Sequence, residues 1–440
     1  MPAPDKSCVS HTTAYHTHVY REGSRPSYTT VYDTNVYEDL NPFRFGDLAL
    51  DDSFTDREEE VEELASDMRN GQNVVVYAPR RYGKSSLVLR ASELALADDV
   101  LVGYCDLMKT PTKERFAAEL AKTIYEDMVS PVGQMLERAS ILFRGLRLKP
   151  TMEIDPDTGG LTFSFDASRR RRTGDIDDTI EKLLGLPQEV ASERGRRVVL
   201  ILDEFQEIVK LDKEFPNLMR AVFQTQPEVG HIYLGSKRHI LDKIFSNKNE
   251  AFWRSAKRLE IGMIPRETFA SFVKARFEST DKGITDEALE HLLAATGGHP
   301  YGTQQLAYTV WELVPTGHFA HDDDVEAALT KVLRGEHNHF AKIWDDATEH
   351  QRLLMLALAV EPSGLYAADY QERHDLESNT HVQRAVTTLM KEEVVGRDDG
   401  GAYHIIEPFF GVWLLREQAD SPVVRELRQA RRRVRAAPGS

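Results

Sequence analysis

Along the chain, short apolar runs alternate with helical periods, and that alternation predicts a layered α/β fold. Val74-Val75-Val76-Tyr77 is a run of four β-favouring residues, the pattern of a strand buried on both faces. Ahead of it, Phe54 to Glu60 offers Thr55 or Asp56 as the cap of a helix running to Arg69. Behind it, a sharp turn opens an amphipathic helix near Lys84. Val100 to Cys105 forms a second strand ending at Asp106, and Thr112 begins a helix with Phe116, Leu120 and Ile124 on one face. Strand, helix, strand, helix is the signature of a parallel sheet. Between Leu146 and Ala167 the period falls to two. Thr151 to Ile154, the turn Pro156 to Gly160 and Leu161 to Phe165 predict a β-hairpin inserted in the α/β core. Val198 to Leu202 and His231 to Gly235 read as further strands, and a last one follows Arg254 and Arg258.

Beyond the sheet the period is helical. Thr285 caps Ala288 to Ala295, Gly297-Gly298-His299-Pro300 interrupts, and Tyr301 to Leu313 resumes, a helix pair placed to form a lid. From Thr348 a helix runs through Val360, a second lies near Tyr366 to His374, and a third spans Ser378 to Lys391. Val394 to Arg397, the turn Asp398 to Gly401 and Ala402 to Ile406 then form a strand pair. Three helices followed by a hairpin is a winged-helix pattern. The expected organisation is a flexible arm over 1–40, a sheet core over 41–265 with the hairpin at about 146–167, a helical lid over 266–345, a winged helix over 346–418 and a basic tail over 419–440. The tail holds Arg425, Arg428, Arg431, Arg432, Arg433 and Arg435.

With 440 residues, 41% of them hydrophobic, the chain has room for two or three cored domains. A formal net charge of -16 argues against general polyanion binding but leaves local basic patches free to act. Two cysteines, Cys8 and Cys105, provide no disulfide framework and suit a reducing compartment. Cys8, His11, His16 and His18 read as parts of a histidine-bearing tail, because nothing pre-orders them as metal ligands. The start Met1 to Asp5 lacks the basic and apolar regions of a leader, and the longest apolar run, Leu353 to Val360, is too short for a bilayer. A cytoplasmic protein without membrane contact is expected.

Two motifs carry chemistry. Ala78-Pro79-Arg80-Arg81-Tyr82-Gly83-Lys84-Ser85-Ser86 has the form of a phosphate-binding loop, with Ala78 where a first glycine is usual. The helix after Gly83 points unpaired N–H groups at an anion, Lys84 reaches β/γ-phosphates, and the Ser85 hydroxyl holds Mg²⁺. Five apolar residues closed by Asp203 and Glu204 supply the second motif. Asp203 would hold Mg²⁺ through water and Glu204 would activate the attacking water, the competing reading being that Asp203 caps the next helix. Ser236 either bonds the γ-phosphate or the water, or belongs to a plain Gly-Ser turn. Arg254 and Arg258 read equally as an arginine finger or as surface salt-bridge partners. Arg169 to Arg172 read as a solvated loop, the alternative being contact with phosphates.

Taken with Gly235-Ser236, Gly297 to Tyr301 and Ile406 to Phe410, these residues resemble the archaeal-type ATPases of the STAND and AAA+ superclass, over roughly Asn41 to Leu415. The resemblance implies a P-loop core binding and hydrolysing ATP, a helical lid and a C-terminal winged helix. It also implies that His299 and Pro300 contact the nucleotide and that Asp56 and Arg57 lie beside the adenine. Glu407 stands where relatives often have Asp, and the extra nuclease-like domain of some relatives is not expected. The leading expectation is a switch whose ATP state repositions the winged helix, read by a protein partner. The alternative is a duplex-DNA initiator or loader using the winged helix and the arginine-rich tail, the tail being its best support, since Arg384 and Lys391 against Glu392 and Glu393 make a poor phosphate footprint on the helix. Small-molecule kinase chemistry fits the Asp203-Glu204 pair less well than water as acceptor does. Oligomerisation stays open.

Overall fold

The computed structural model describes residues 40–46, 48, 54–129, 142–154, 161–165, 175–248, 250–398, 400–422, 424–426 and 429. The arm with Cys8, His11, His16 and His18, the Arg169 to Arg172 run, the Pro156 to Gly160 turn, Arg428, Arg431, Arg432, Arg433 and Arg435 lie outside them; Arg425 is described and exposed.

The strands are β1 (Val74–Tyr77), β2 (Leu101–Asp106), β3 (Thr151–Ile154), β4 (Leu161–Ser164), β5 (Val198–Asp203), β6 (Val229–Gly235) and β7 (Lys257–Glu260). A five-stranded parallel sheet runs in the order β2-β5-β6-β1-β7. Every residue of β1, β5 and β6 is buried, which is why β1 and β5 as far as Leu202 read as unbroken apolar runs, while β6 also buries His231. By contrast the edge strand β7 alternates and carries Lys257, Arg258 and Glu260, charges that discourage further pairing. The register sets Tyr77 opposite both Gly235 and Glu260. The carboxyl ends of β1 and β6 are therefore level, the place where open α/β sheets hold ligands.

Helix α1 (Glu58–Asn70) does not begin as expected. Neither Thr55 nor Asp56 caps it; Arg57 occupies the N-cap with no side-chain cap bond. Asp56 and Arg57 both take left-handed backbone, φ 58° and 74°, and the buried Arg57 guanidinium donates to the Gly262 carbonyl at 2.6 Å. A distant carbonyl thus decides the entry angle. Elsewhere the predicted caps form: Thr112 accepts from Arg115, Thr285 from Ala288, and Thr348 exchanges a capping box with Gln351.

One compact unit comprises Leu101–Ile201 with Glu207–Val229. In it the hairpin β3–β4 is antiparallel, and its Phe163 lies against Tyr125 and Phe143 with ring centroids 5.9 Å away in each case. Lys113 ties Asp177 and Asp212 at 2.8 and 2.6 Å. The helix Asp175–Arg194 runs through Pro187, which breaks the periodicity that would announce it.

The other unit comprises the described residues of Asp33–Val100, Leu202–Gln206 and Gly230–Ser440. It holds α1, helix α2 (Lys84–Ala97), the helices Arg266–Glu278, Asp286–Thr296, Pro300–Leu313 and Asp322–Asp346, and the short pair β8 (Gly283–Ile284) and β9 (Phe319–Ala320). The winged-helix elements follow: Glu349–Val360, Ala368–Arg373, Asn379–Lys391, and the antiparallel β10 (Val395–Arg397) and β11 (Tyr403–Ile405). A single hydrophobic cluster runs from Phe43 through Leu292, Val310 and Phe340 to Leu389 and Trp413. The four lid-region helices and the winged helix therefore share one core. Asn41 bonds the Tyr308 carbonyl and Phe43 packs on Phe277, fastening the Asn41-Pro42-Phe43 segment to those helices. Among the described residues no helix is long and apolar enough to cross a membrane.

Gly235 closes β6 beneath the turn after β5. A Cβ there would overlap Gln206 Oε1 and come within 2.6 Å of Leu241. Gly235→Ala should lower stability by about 1–3 kcal/mol through overpacking, read as a reduced midpoint in guanidinium unfolding.

Candidate active site

The loop between β1 and α2 is built to leave donors unpaired. Gly83, at φ 81°, is the N-cap of α2 and provides no side-chain cap. The first amides of the helix are then available to an anion, with the helix dipole behind them. Ala78 is buried, stays out of the left-handed region and bonds through its N–H to the Gly235 carbonyl at 3.5 Å. A methyl group therefore costs no backbone strain where glycine is usual. Arg81 takes φ 67°, and both it and Arg80 are exposed. Pro79 and Ser85 are half-buried, Ser86 and Tyr82 buried.

At the centre lies Lys84, 7% exposed. Its Nζ stands 3.1 Å from Asp203 Oδ1 and 3.2 Å from Glu204 Oε1. Asp203 Oδ1 also accepts from the Glu204 N–H at 2.8 Å. Glu204 adopts φ 53°, an uncommon conformation for a residue with a Cβ. Three donors hold its carboxylate there: Lys84 on Oε1, and Gln206 Nε2 with Ser236 Oγ, at 3.3 Å, on Oε2. Phe205 anchors the turn from below, its ring 4.6 Å from Tyr233 and 5.4 Å from Phe252. The structure thus brings Lys84, Asp203, Glu204 and Ser236 together, and adds Gln206, whose Oε1 is buried without a partner. No spacing rule in the sequence marks Gln206, because its position depends on the 3₁₀ turn Phe205–Glu207.

His299 is 1% exposed and caps the helix Pro300–Leu313, its Nδ1 accepting from the Gly302 N–H at 3.0 Å. Its ring stands edge-on to Tyr82, centroids 4.9 Å apart, so the lid motif touches the phosphate loop through that tyrosine. Gly298 before it has φ 77°, and a Cβ would run into the Ile264 carbonyl oxygen. Asp56 and Arg57 start α1, Arg57 bound to Gly262. Arg254 lies over the Trp253 ring at 5.2 Å, and Arg258 reaches Ser246 and, at 3.9 Å, Asp242. Both arginines are exposed.

Two further contacts are absent from any linear motif. Arg80 pairs with Glu393 at 3.5 Å and Arg81 with Glu407 at 3.3 Å, and the Arg81 guanidinium also covers the Tyr301 ring at 4.4 Å. Both acids belong to the winged-helix segment. Burial pushes the Glu407 carboxyl up, and Arg81 partly offsets it.

Burial, reinforced by Arg81, lowers the His299 pKa from 6.5 to about 3. The folded state keeps this imidazole neutral while the unfolded chain protonates it, so stability falls as pH drops from about 6.5 towards about 3 and is unaffected above that window. His299→Asn retains a capping acceptor and should show a shallower loss of urea midpoint between pH 6.5 and 4 than the parent. Equal slopes would remove His299 from the acid sensitivity.

Residues 54–306 match the family model of an ATPase domain predominantly from Archaea, and residues 338–416 match a probable winged helix domain. No curated protein matches the chain in sequence. Among solved structures, the Walker-type ATPase of Pyrococcus abyssi is similar with a TM-score of 0.57 and 16% identity, over 86% of this chain and 99% of that one. The Aeropyrum pernix ORC2 protein in ADPNP-ADP complexes gives 0.47 and 14%, over 86% and 95%. The Aeropyrum pernix ORC1 protein in complex with DNA gives 0.42 and 15%, again over 86% and 95%. These likenesses speak to the fold, whereas the first family model spans more than half of the chain. With the phosphate loop and the acidic strand end already in place, the chain belongs to the family of ATPase domains predominantly from Archaea: it is an archaeal-type P-loop ATPase with a winged helix.

Proposed function

We propose that this ATPase is a STAND/AAA+-type molecular switch, in which the nucleotide state repositions the winged helix. The observation that carries the reading is the pair of ion pairs from the phosphate loop itself, Arg80 to Glu393 and Arg81 to Glu407. Each joins a half-exposed arginine to a carboxylate about a fifth exposed, so each is worth about 0.2–1 kcal/mol, with about 0.5–1 kcal/mol more from Arg81 on Tyr301. The total matches the coupling of about 1–3 kcal/mol typical between linked sites. It is strong enough to bias a state and weak enough to be released. Because the lid-region helices and the winged helix share one core, they would move together.

For the chemistry, Lys84 would turn from the two carboxylates to the β/γ-phosphates of ATP, freeing Glu204 to orient the attacking water while Gln206 and Ser236 hold it in place. Ser85 and Asp203 present the hard oxygen donors that suit Mg²⁺, and that ion would neutralise charge on the phosphates. The loop residues Ala78 to Ser86 would line the phosphates, with Asp56 and Arg57 on the adenine side and His299 and Pro300 at the lid. Arg254 and Arg258 are exposed and suited to act as a finger from a neighbouring copy. The second reading, a duplex-DNA-binding loader, draws on the exposed polar face of the helix Asn379–Lys391, with Gln383, Arg384, Thr387, Thr388 and Lys391.

Lys84→Ala should lose nucleotide binding. Glu204→Gln should bind ATP and turn over at least about a hundredfold more slowly; parent-rate turnover in that variant would refute the role given to Glu204. Steady-state ATP hydrolysis should respond to the Arg81→Ala and Glu407→Gln pair and be indifferent to duplex DNA. Stimulation by DNA that fades as salt rises would favour the loader reading, because phosphate contacts release counterions.

A further inference from the structure

The winged helix carries a side-chain cluster that ATP chemistry does not use. His350 lies in the first turn of Glu349–Val360, His381 in the first turn of Asn379–Lys391, and Glu377 just ahead of the latter. One oxygen, Glu377 Oε2, stands 2.7 Å from His350 Nε2 and 2.8 Å from His381 Nδ1. The imidazole centroids are 5.0 Å apart, and one donor atom from each of the three residues lies within 4.8 Å of the others. Ser378, the N-cap of Asn379–Lys391, makes no side-chain bond to a helix N–H, and its Oγ lies 3.2 Å from His381 Nδ1, so His381 already has a second polar neighbour at that nitrogen. Leu353, Leu354, Leu376 and Val382 line the small cavity over which these polar atoms meet, together with Asp375. Polar donors above an apolar floor, drawn from two separate helix starts, form a prepared site rather than a solvated charge run.

We propose that His350, Glu377 and His381 bind a divalent cation, and that Zn²⁺ fits the donor set best. Two imidazole nitrogens and one carboxylate oxygen are borderline and hard donors of the kind Zn²⁺ accepts, with the fourth tetrahedral position left to water. The nitrogens and oxygen now share protons at 2.7 and 2.8 Å. A tetrahedral shell with bonds of about 2.0–2.1 Å needs donors about 3.3 Å apart. The two contacts to Glu377 would lengthen and the two nitrogens, now within 4.8 Å, would draw together, a rearrangement open to side chains that are all at least a third exposed. Binding displaces the shared protons, so uptake releases acid and weakens as pH falls. The ion would tie the start of Glu349–Val360 to the start of Asn379–Lys391, fixing the helix whose polar face the winged helix displays. This site stands independently of the switch reading.

The full chain, stripped with chelator, is titrated with ZnCl₂ by calorimetry, and with Co²⁺ for its visible bands. The parent should take up one more equivalent of zinc than the double variant His350→Ala/His381→Ala. Any zinc held by histidines or the cysteine of residues 1–40 is common to both proteins and cancels. Glu377→Gln, which preserves shape, should weaken that equivalent at least about tenfold. Metal-free circular dichroism and basal ATP hydrolysis should be the same in all three, so a folding defect would be seen. Equal stoichiometry and affinity in parent and double variant would overturn the proposal and leave a hydrogen-bonded trio.

Discussion

A buried lysine ammonium between two carboxylates is the constraint on which this structure turns. Lys84 opens a helix whose dipole already repels a cation, and burial removes most of its water. Asp203 and Glu204 meet that cost, and each of them in turn is tolerable at the sheet edge because Lys84 is there. In the proposed mechanism an arriving polyphosphate would compete with the carboxylates for the same ammonium. Nucleotide binding and the release of Glu204 would then be one electrostatic event. The positive φ of Glu204, held by Gln206 and Ser236, would keep the freed carboxylate from relaxing into an ordinary turn.

Around that centre the phosphate loop faces two ways. Its backbone and Lys84 face the anion site, while Arg80 and Arg81 face the winged-helix acids Glu393 and Glu407. Tyr82 stands between these functions, buried against His299 with its hydroxyl unpartnered. Burial raises the pKa of that phenol further, so it stays neutral and acts as an apolar wedge. A shift of the loop by a fraction of an ångström would be felt at His299, at Tyr301 and at both acids together. Close-packed interfaces transmit such shifts because they have no slack.

Much of the fold was legible in the chain. The unbroken runs of β1 and β5 announce buried strands and His231 to Gly235 a further strand, Thr112, Thr285 and Thr348 announce helix starts, and the turn at 398–401 announces the wing. The cap of α1 is not legible locally, since Thr55 and Asp56 satisfy the local rule while Arg57 is captured by Gly262 from 205 residues away. The helix Asp175–Arg194 escaped periodicity because Pro187 lies inside it.

The sequence by itself determined what depends on neighbours in the chain: a strand, a turn with glycine where φ is positive, a lysine and serine opening a helix, two acids closing an apolar run. Those are local because strand and helix periods and the helix-end donors repeat within a few residues. Only the tertiary structure decided which of those groups meet. Gln206 reaches Glu204 through a 3₁₀ turn seated on the Phe205 aromatic cluster, Arg80 and Arg81 find acids over 300 positions later, and His299 becomes a buried helix cap. Burial, and with it the strength of every charge in the site, is a property of packing, and packing has no period along the chain.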